Sequence, residues 1–109
     1  MATTKDIQLI DHLLERTLAG QIDWQPTANQ NQFTASFKGK YSLSVHQAPE
    51  SYNCWLTMDD ADGRRMHRIT DHEYSRVDEL YDAARRRAYK VDEAIDDILG
   101  AIGGEAERN

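Results

Sequence analysis

The chain has 109 residues and a formal net charge of −6 at pH 7, with 29% charged and 39% hydrophobic residues. This length predicts one domain, and the composition excludes a disordered or fibrous chain. No apolar run approaches the ~20 residues that span a bilayer, and the first residues lack the basic start of a secretory signal. We therefore predict a single cytoplasmic domain over residues 1–109 that makes no contact with a membrane.

The first predicted element is a helix over about residues 4–19. Thr3 or Thr4 can cap it, and Gly20 stands where a glycine commonly follows a helix. Apolar residues at helical spacing give it a wide face: Ile7, Ile10, Leu14 and Leu18, flanked by Leu9 and Leu13. Alternation over residues 22–24 then predicts a short extra strand at Trp24.

An antiparallel sheet is predicted over about residues 22–69. Residues 33–37 and 41–45 alternate between apolar and polar side chains on either side of Gly39-Lys40, which indicates a hairpin. Residues 54–58 alternate in the same way and form the third strand. The predicted sheet is therefore a meander of consecutive strands.

The fourth main strand, residues 64–69, follows a turn. We assign residues 59–63 to that turn by its Asp-Gly chemistry. A calcium loop fits less well, because Met58 and Ile69 would fall where carboxylates are needed. The strand itself has a mixed pattern, which is typical of an edge strand or of a strand with a bulge.

A long amphipathic helix is predicted over about residues 71–101, followed by a flexible tail over residues 103–109. Thr70 and Glu73 have the spacing of a capping box, and Gly103 and Gly104 favour a stop. The apolar residues recur in steps of three and four along one face: Val77, Tyr81, Ala84, Ala88, Val91, Ile95, Ile98 and Ile102. Their stripe needs a surface to pack on.

These elements predict an α+β fold, a two-layer domain with a four-stranded antiparallel meander and both helices on the same face. The opposite face then meets solvent. On it we place the candidate binding residues His46, Trp55, Thr57, Arg65 and His67. Trp55 carries most weight, because large aromatic rings are frequent at interface hot spots. A register shifted by one residue would instead bury Trp55 in the core.

The length of the last helix predicts self-association. An unbroken helix of this length spans about 43 Å, whereas a six-residue strand spans ~20 Å. Either the helix breaks near Lys90 or its far end projects and exposes apolar surface, which a second chain would cover. We therefore predict a homodimer through four residues: Val91, Ile95, Ile98 and Ile102.

Sequence motifs for catalysis, metal binding or a cofactor are lacking, so we predict a non-enzymatic interaction or regulatory protein with a protein partner. Two alternatives stay open. One is a small enzyme or metal-binding protein that uses His46, His67 and Cys54. The other is RNA binding through Arg85–Arg87, although an acidic chain disfavours nucleic acid as a partner.

Several segments resemble small uncharacterised bacterial proteins of actinobacterial type. The resemblance lies in an LLxxTxxGxIxW-like start over residues 14–24, an LYxxAR-like helix over residues 80–86, and residues 91–99. It implies the same helix, meander and helix arrangement, and it implies no activity or site residues. Members often carry a glycine where Lys90 stands, and this departure favours an unbroken helix.

Overall fold

The computed structural model describes residues 2–108, with side chains described through Gly103, and shows three helices and one five-stranded antiparallel sheet. The strands are adjacent in chain order. In chain order the elements are α1 (Thr4–Leu18), β1 (Gln25–Pro26), β2 (Gln32–Phe37), β3 (Tyr41–Gln47), β4 (Cys54–Asp59), β5 (Arg65–Thr70), α2 (Val77–Ala88) and α3 (Val91–Arg108). The α+β class and the antiparallel sheet are confirmed, and the four-strand count is one too low. Within the described residues, no helix is long and apolar enough to cross a membrane.

The extra strand is β1, which follows the segment predicted for it. Pro26 is tolerated in β1 because this strand is an edge strand and needs no second set of ladder donors. Ile22 and Trp24 lie outside the strand and are buried. The indole N–H of Trp24 donates to Thr17 Oγ1 over 2.9 Å, which fastens the chain after α1 to α1 itself.

The β2–β3 hairpin has the predicted pairing. Phe33 lies opposite Val45 and Ala35 opposite Leu43, so one face of the hairpin is continuously apolar. The turn is centred on Lys38 and Gly39, whose φ values of 56° and 66° lie in the left-handed region that such hairpin turns require. The turn therefore starts one residue earlier than predicted.

Helices α1 and α2 pack against each other, and α2 also packs on four of the five strands. Their apolar faces join that of the sheet in one core. The largest fully buried side chains belong to Trp24, Phe33, Ile10, Leu56, Ile69 and Leu80. No described helix packs on the opposite face of the sheet. The two-layer arrangement therefore leaves that face open.

The predicted helix over residues 71–101 is two helices, and its predicted start is wrong. Thr70 and Glu73 do make the capping-box bonds, with the Glu73 N–H 3.3 Å from Thr70 Oγ1 and a Glu73 carboxylate oxygen accepting from the Thr70 N–H. These bonds close a turn after β5, and α2 begins only at Val77. A local capping pattern can thus satisfy a single turn without propagating into a helix.

The break between α2 and α3 falls at Lys90, which has a φ of 54°. A left-handed residue ends the α2 hydrogen-bond ladder and redirects the chain. Helix α3 then continues through Gly103 to Arg108, so the predicted stop at the glycines is also wrong. Glycine inside a helix costs about 1 kcal/mol relative to alanine but does not force an end.

Replacing Lys90 by glycine is expected to stabilise the protein by about 1 kcal/mol, because a non-glycine residue in the left-handed region costs roughly that amount. Urea unfolding followed by circular dichroism measures the change. Lys40→Gly is a matched control, since its backbone is outside that region. A loss of stability in Lys90→Gly would contradict the left-handed assignment.

Candidate functional site

The open face of the sheet carries a stacked pair of aromatic side chains where β3, β4 and β5 lie side by side. His46 on β3 lies opposite Trp55 on β4, and Trp55 lies opposite Thr70 on β5. The His46 and Trp55 rings are stacked, with centroids 5.2 Å apart and planes within 3° of parallel. The Arg68 guanidinium carbon lies 5.1 Å from the Trp55 ring centre, a cation–π contact. We call His46, Trp55 and Arg68 the aromatic stack.

A buried side chain of the sheet, Thr57, holds the aromatic stack in place. His46 Nε2 lies 3.0 Å from the hydroxyl of Thr57, a side chain that is almost fully buried. Burial, followed by the positive charge of Arg65, lowers the pKa of His46. The imidazole is therefore neutral at pH 7, and Trp55, which is half-buried, keeps part of its ring open to solvent.

Of the predicted members of this face, Arg65 lies where it was expected and His67 does not. Arg65 lies on the face, and its Nε donates to Asp59 over 2.8 Å. His67 does not: it lies opposite Met58 on the helix side, and its Nε2 is 2.8 Å from an Asp6 carboxylate oxygen in α1. The reason is a bulge where the register shifts between Met58 and Asp59, which reverses the alternation of β5.

Arg68 takes the place on the open face that His67 was expected to fill, and it was not among the predicted residues. The signal was present in the strand. Ile69 is the buried apolar residue of β5, whereas Met66 is exposed, so the two neighbours of Ile69 must face the other side of the sheet. Counting back from Ile69, instead of forward from the turn, would have identified Arg68.

Helix α3 forms a second exposed surface. Its main neighbour is α2, and the molecule measures 57 × 29 × 26 Å because α3 extends from the body. Four large apolar side chains remain 41–60% exposed: Ile95, Ile98, Leu99 and Ile102. Of the predicted self-association residues, Val91 is half-buried at the start of α3. Leu99 was missed, although it lies one turn after Ile95 on the same face.

A third group of residues, which we call the acid cluster, lies on the helix side at the start of β4 and consists of Cys54, Asp71 and Asp78. One ligand-type atom each from Cys54, Asp71 and Asp78 lies within 4.8 Å of the others, and no other such group of three occurs among the described residues. Asp71 Oδ2 accepts from the Cys54 backbone N–H over 3.0 Å. Its Oδ1 is buried with no hydrogen-bond partner among the described groups. An open cleft of about 570 Å³ adjoins Cys54 and Asp78.

The pKa values of two groups in this cluster, Cys54 and Asp78, are raised, which favours their protonated, uncharged forms. Burial and a hydrogen bond to Asp78 raise the pKa of the Cys54 thiol to about 12, so the sulfur is protonated and a poor nucleophile. Burial also raises the pKa of Asp78, and the neighbouring Asp71 carboxylate acts in the same direction. Two carboxyl groups this close favour a shared proton.

The raised pKa of Asp78 predicts that its contribution to stability falls as pH rises. The unfolded chain releases this proton near the ordinary value of 3.8, whereas the folded chain releases it at a higher pH. Between those two values the folded state binds more protons, so the penalty grows there and is complete above the folded pKa. In Asp78→Asn we expect urea midpoints that rise, relative to the unsubstituted protein, as the pH increases above about 4. Asp82→Asn, one turn further along α2, is the control, and equal pH profiles for the two variants would contradict the shift.

The structure does not bring together the residues of the enzyme or metal-binding alternative. His46 lies on the open face, His67 pairs with Asp6 on the helix side, and Cys54 lies in the acid cluster. The three arginines of the RNA-binding alternative each contact a different neighbour. Arg85 lies over the Tyr89 ring, Arg86 pairs with Asp92, and Arg87 donates to the Gly20 carbonyl.

Comparisons with protein-family models, with curated proteins and with solved structures each gave no match for this chain.

Proposed function

We propose that the protein is a small, non-enzymatic, cytoplasmic interaction protein that self-associates through α3 and binds a protein partner on its open sheet face. One observation carries the proposal. Helix α3 extends from the body and exposes the apolar side chains of Ile95, Ile98 and Leu99 on one face, with Ile102 one turn beyond.

Exposure of these apolar side chains to water is unfavourable for an isolated chain. Contiguous exposed apolar patches on a folded protein mark interaction surfaces. A helix of this length also gains most of its stability from packing its apolar face, and that face is unpacked here beyond the contact with α2. The four side chains are 41–60% exposed, so burying the rest of each contributes roughly half of the 1.5–3 kcal/mol for full burial, and a second chain that covers them stabilises both the helix and the assembly.

The aromatic stack supports the second half of the proposal. Trp55 combines a large apolar surface with a hydrogen-bond donor, and Trp and Arg are enriched among residues that dominate binding energy. Arg68 is exposed beside it. The stack therefore suits a protein segment that offers an acidic side chain next to an apolar one.

Sedimentation equilibrium over about 1–200 μM tests the self-association. We expect the unsubstituted protein to form dimers and Ile98→Asp to be monomeric over the same range, with an unchanged circular dichroism spectrum. Leu18→Asp is the matched control, because this α1 leucine is 72% exposed and lies outside α3. A monomeric unsubstituted protein at the highest concentration would overturn the proposal.

Trp55→Ala tests the open face. The side chain lies outside the core, so we expect a loss of less than about 1.5 kcal/mol in the free energy of unfolding, mainly from the lost stacking and cation–π contacts. We also expect binding to a protein captured by the immobilised chain to weaken at least about tenfold. Tyr52→Ala is the control, since Tyr52 is 69% exposed away from the stack. Equal binding by both variants would contradict this half of the proposal.

A further inference from the structure

An apolar groove lies between α1 and the β2–β3 hairpin, with a volume of about 390 Å³. It exists because α2 covers the centre of the sheet while α1 packs mainly against α2. The hairpin end of the apolar sheet face is therefore incompletely covered. We call this surface the hairpin groove, and its apolar lining consists of Leu9, Leu13, Phe37, Tyr41, Leu43 and Met58.

The hairpin groove continues along α1 into a second depression of about 320 Å³ that shares Leu9, Leu13 and Phe37 and adds Ile22. The charged side chains that line the two depressions are basic. Lys38 lies at the hairpin end, and Arg16 lies at the other end. No acidic residue lines either depression in the described part of the chain.

Helix α3 has the complementary character. Its exposed apolar residues follow the i, i+3, i+4, i+7 spacing by which amphipathic helices bind in grooves: Ile95, Ile98, Leu99 and Ile102. Residues 91–103 contain four acidic residues and no Lys or Arg. Asp92 pairs with Arg86, while Asp96 and Asp97 are exposed.

The same charges disfavour direct pairing of α3 with α3. Two copies of this helix packed side by side, with axes about 8–10 Å apart, would bring acidic residues near acidic residues at a distance comparable to the ~8 Å screening length of physiological salt. The hairpin groove offers Lys38 and Arg16 instead, together with an unfilled apolar floor. Opposite charges around an apolar contact fix both partner and orientation.

We propose that α3 of one chain docks in the hairpin groove of a second copy. The inference rests on the self-association proposed above and names the surface it uses. In a two-fold dimer each chain gives its α3 to the other, so the contact forms twice and the assembly closes. The docked helix completes the helical layer over the apolar sheet face.

Complementation between two variants tests the proposal by analytical ultracentrifugation. Tyr41→Asp places an acidic group on the lip of the hairpin groove, where the tyrosine is 40% exposed, and leaves α3 intact. Ile98→Asp leaves the groove intact. We expect each variant alone to dissociate at least about 100-fold more readily than the unsubstituted protein. Their equimolar mixture should form a heterodimer, because it retains one intact helix and one intact groove.

Tyr52→Asp is the matched control, as it makes the same substitution at a more exposed tyrosine outside the groove, and it should dimerise normally. Dimerisation of Tyr41→Asp at the unsubstituted affinity, with Ile98→Asp monomeric, would overturn the groove and preserve self-association through α3. A mixture that fails to associate would also overturn the groove. An unsubstituted protein that stays monomeric would overturn both proposals.

Discussion

Replacing Trp24 by alanine is expected to destabilise the protein by about 3–5 kcal/mol, the range for truncating a fully buried aromatic side chain. Trp24 is 1% exposed and is the largest of the fully buried side chains. Domains of this size have free energies of unfolding of about 5–15 kcal/mol, so the variant should lose from about a fifth to nearly all of its stability. Urea titration followed by circular dichroism, started at low temperature, measures the loss.

A milder variant keeps this prediction measurable if Trp24→Ala does not fold. Thr17 Oγ1 accepts the Trp24 indole N–H and donates to the Leu13 carbonyl over 2.6 Å. Thr17→Val leaves the indole N–H buried without its acceptor, which should cost about 1–3 kcal/mol. Thr4→Val, at an exposed position of α1, should change stability by less than about 0.5 kcal/mol. Equal effects of the two valine variants would show that the Trp24–Thr17 bond contributes nothing.

Patterns with a short period were the most predictable part of this fold. The alternation around Phe33 and Leu43 placed β2, β3 and their shared apolar face, because a strand has only two faces and one of them is buried. The capping box at Thr3 is present, with the Asp6 N–H donating to Thr3 Oγ1 over 3.1 Å. Helix α1 therefore begins where its sequence places the cap.

The interruptions of those patterns were less predictable. Nothing in the local periodicity marks the break at Lys90, since Val91 continues the apolar spacing of α2 and lysine rarely occupies the left-handed region. The resemblance offered the better signal, because it implies a glycine at this position. In β5 the mixed pattern did indicate an edge strand or a bulge, and both are present, but it did not locate the extra residue that exchanged the faces of His67 and Arg68.

The acid cluster could not be predicted at all from spacing. Cys54 and Asp71 are adjacent only because β4 begins beside the point where its antiparallel neighbour β5 ends, and Asp78 reaches them from α2. Such contacts depend on the packing of three elements, which a single sequence does not encode in any local pattern. The aromatic stack was half predicted, since strand alternation placed His46 and Trp55 on the same open face, although it did not predict that they lie opposite each other.

The proposed docking of α3 depends on its direction, and that direction is set at the elbow between α2 and α3. Tyr89 follows α2 directly, and its ring contacts Phe33 edge-on with centroids 5.1 Å apart. Its hydroxyl lies 3.4 Å from the Gln30 carbonyl, and the Arg85 guanidinium lies over its ring. Tyr89 is thus held against the sheet, and the chain turns at the next residue, Lys90.

Phe33→Ala should therefore have two effects. Phe33 is fully buried and also contacts the Tyr81 ring, with centroids 5.7 Å apart, so its truncation is expected to cost about 3–5 kcal/mol of stability. Tyr89→Ala should cost less, because Tyr89 is 44% exposed. If the two rings fasten the elbow together, the double variant should be more stable than the sum of the single losses predicts, by about 0.5–1.5 kcal/mol.

A matched comparison separates the elbow from the core. Leu80→Ala is an equally buried truncation of α2 that should lower stability without a coupling to Tyr89. Tyr89→Ala should also weaken dimerisation about tenfold, since a loosened elbow must be ordered again whenever α3 docks. Unfolding measured by urea titration and dissociation measured by sedimentation report these two effects independently. Additive losses for Phe33 and Tyr89, together with unchanged dimerisation, would show that α3 is oriented by something other than this aromatic contact.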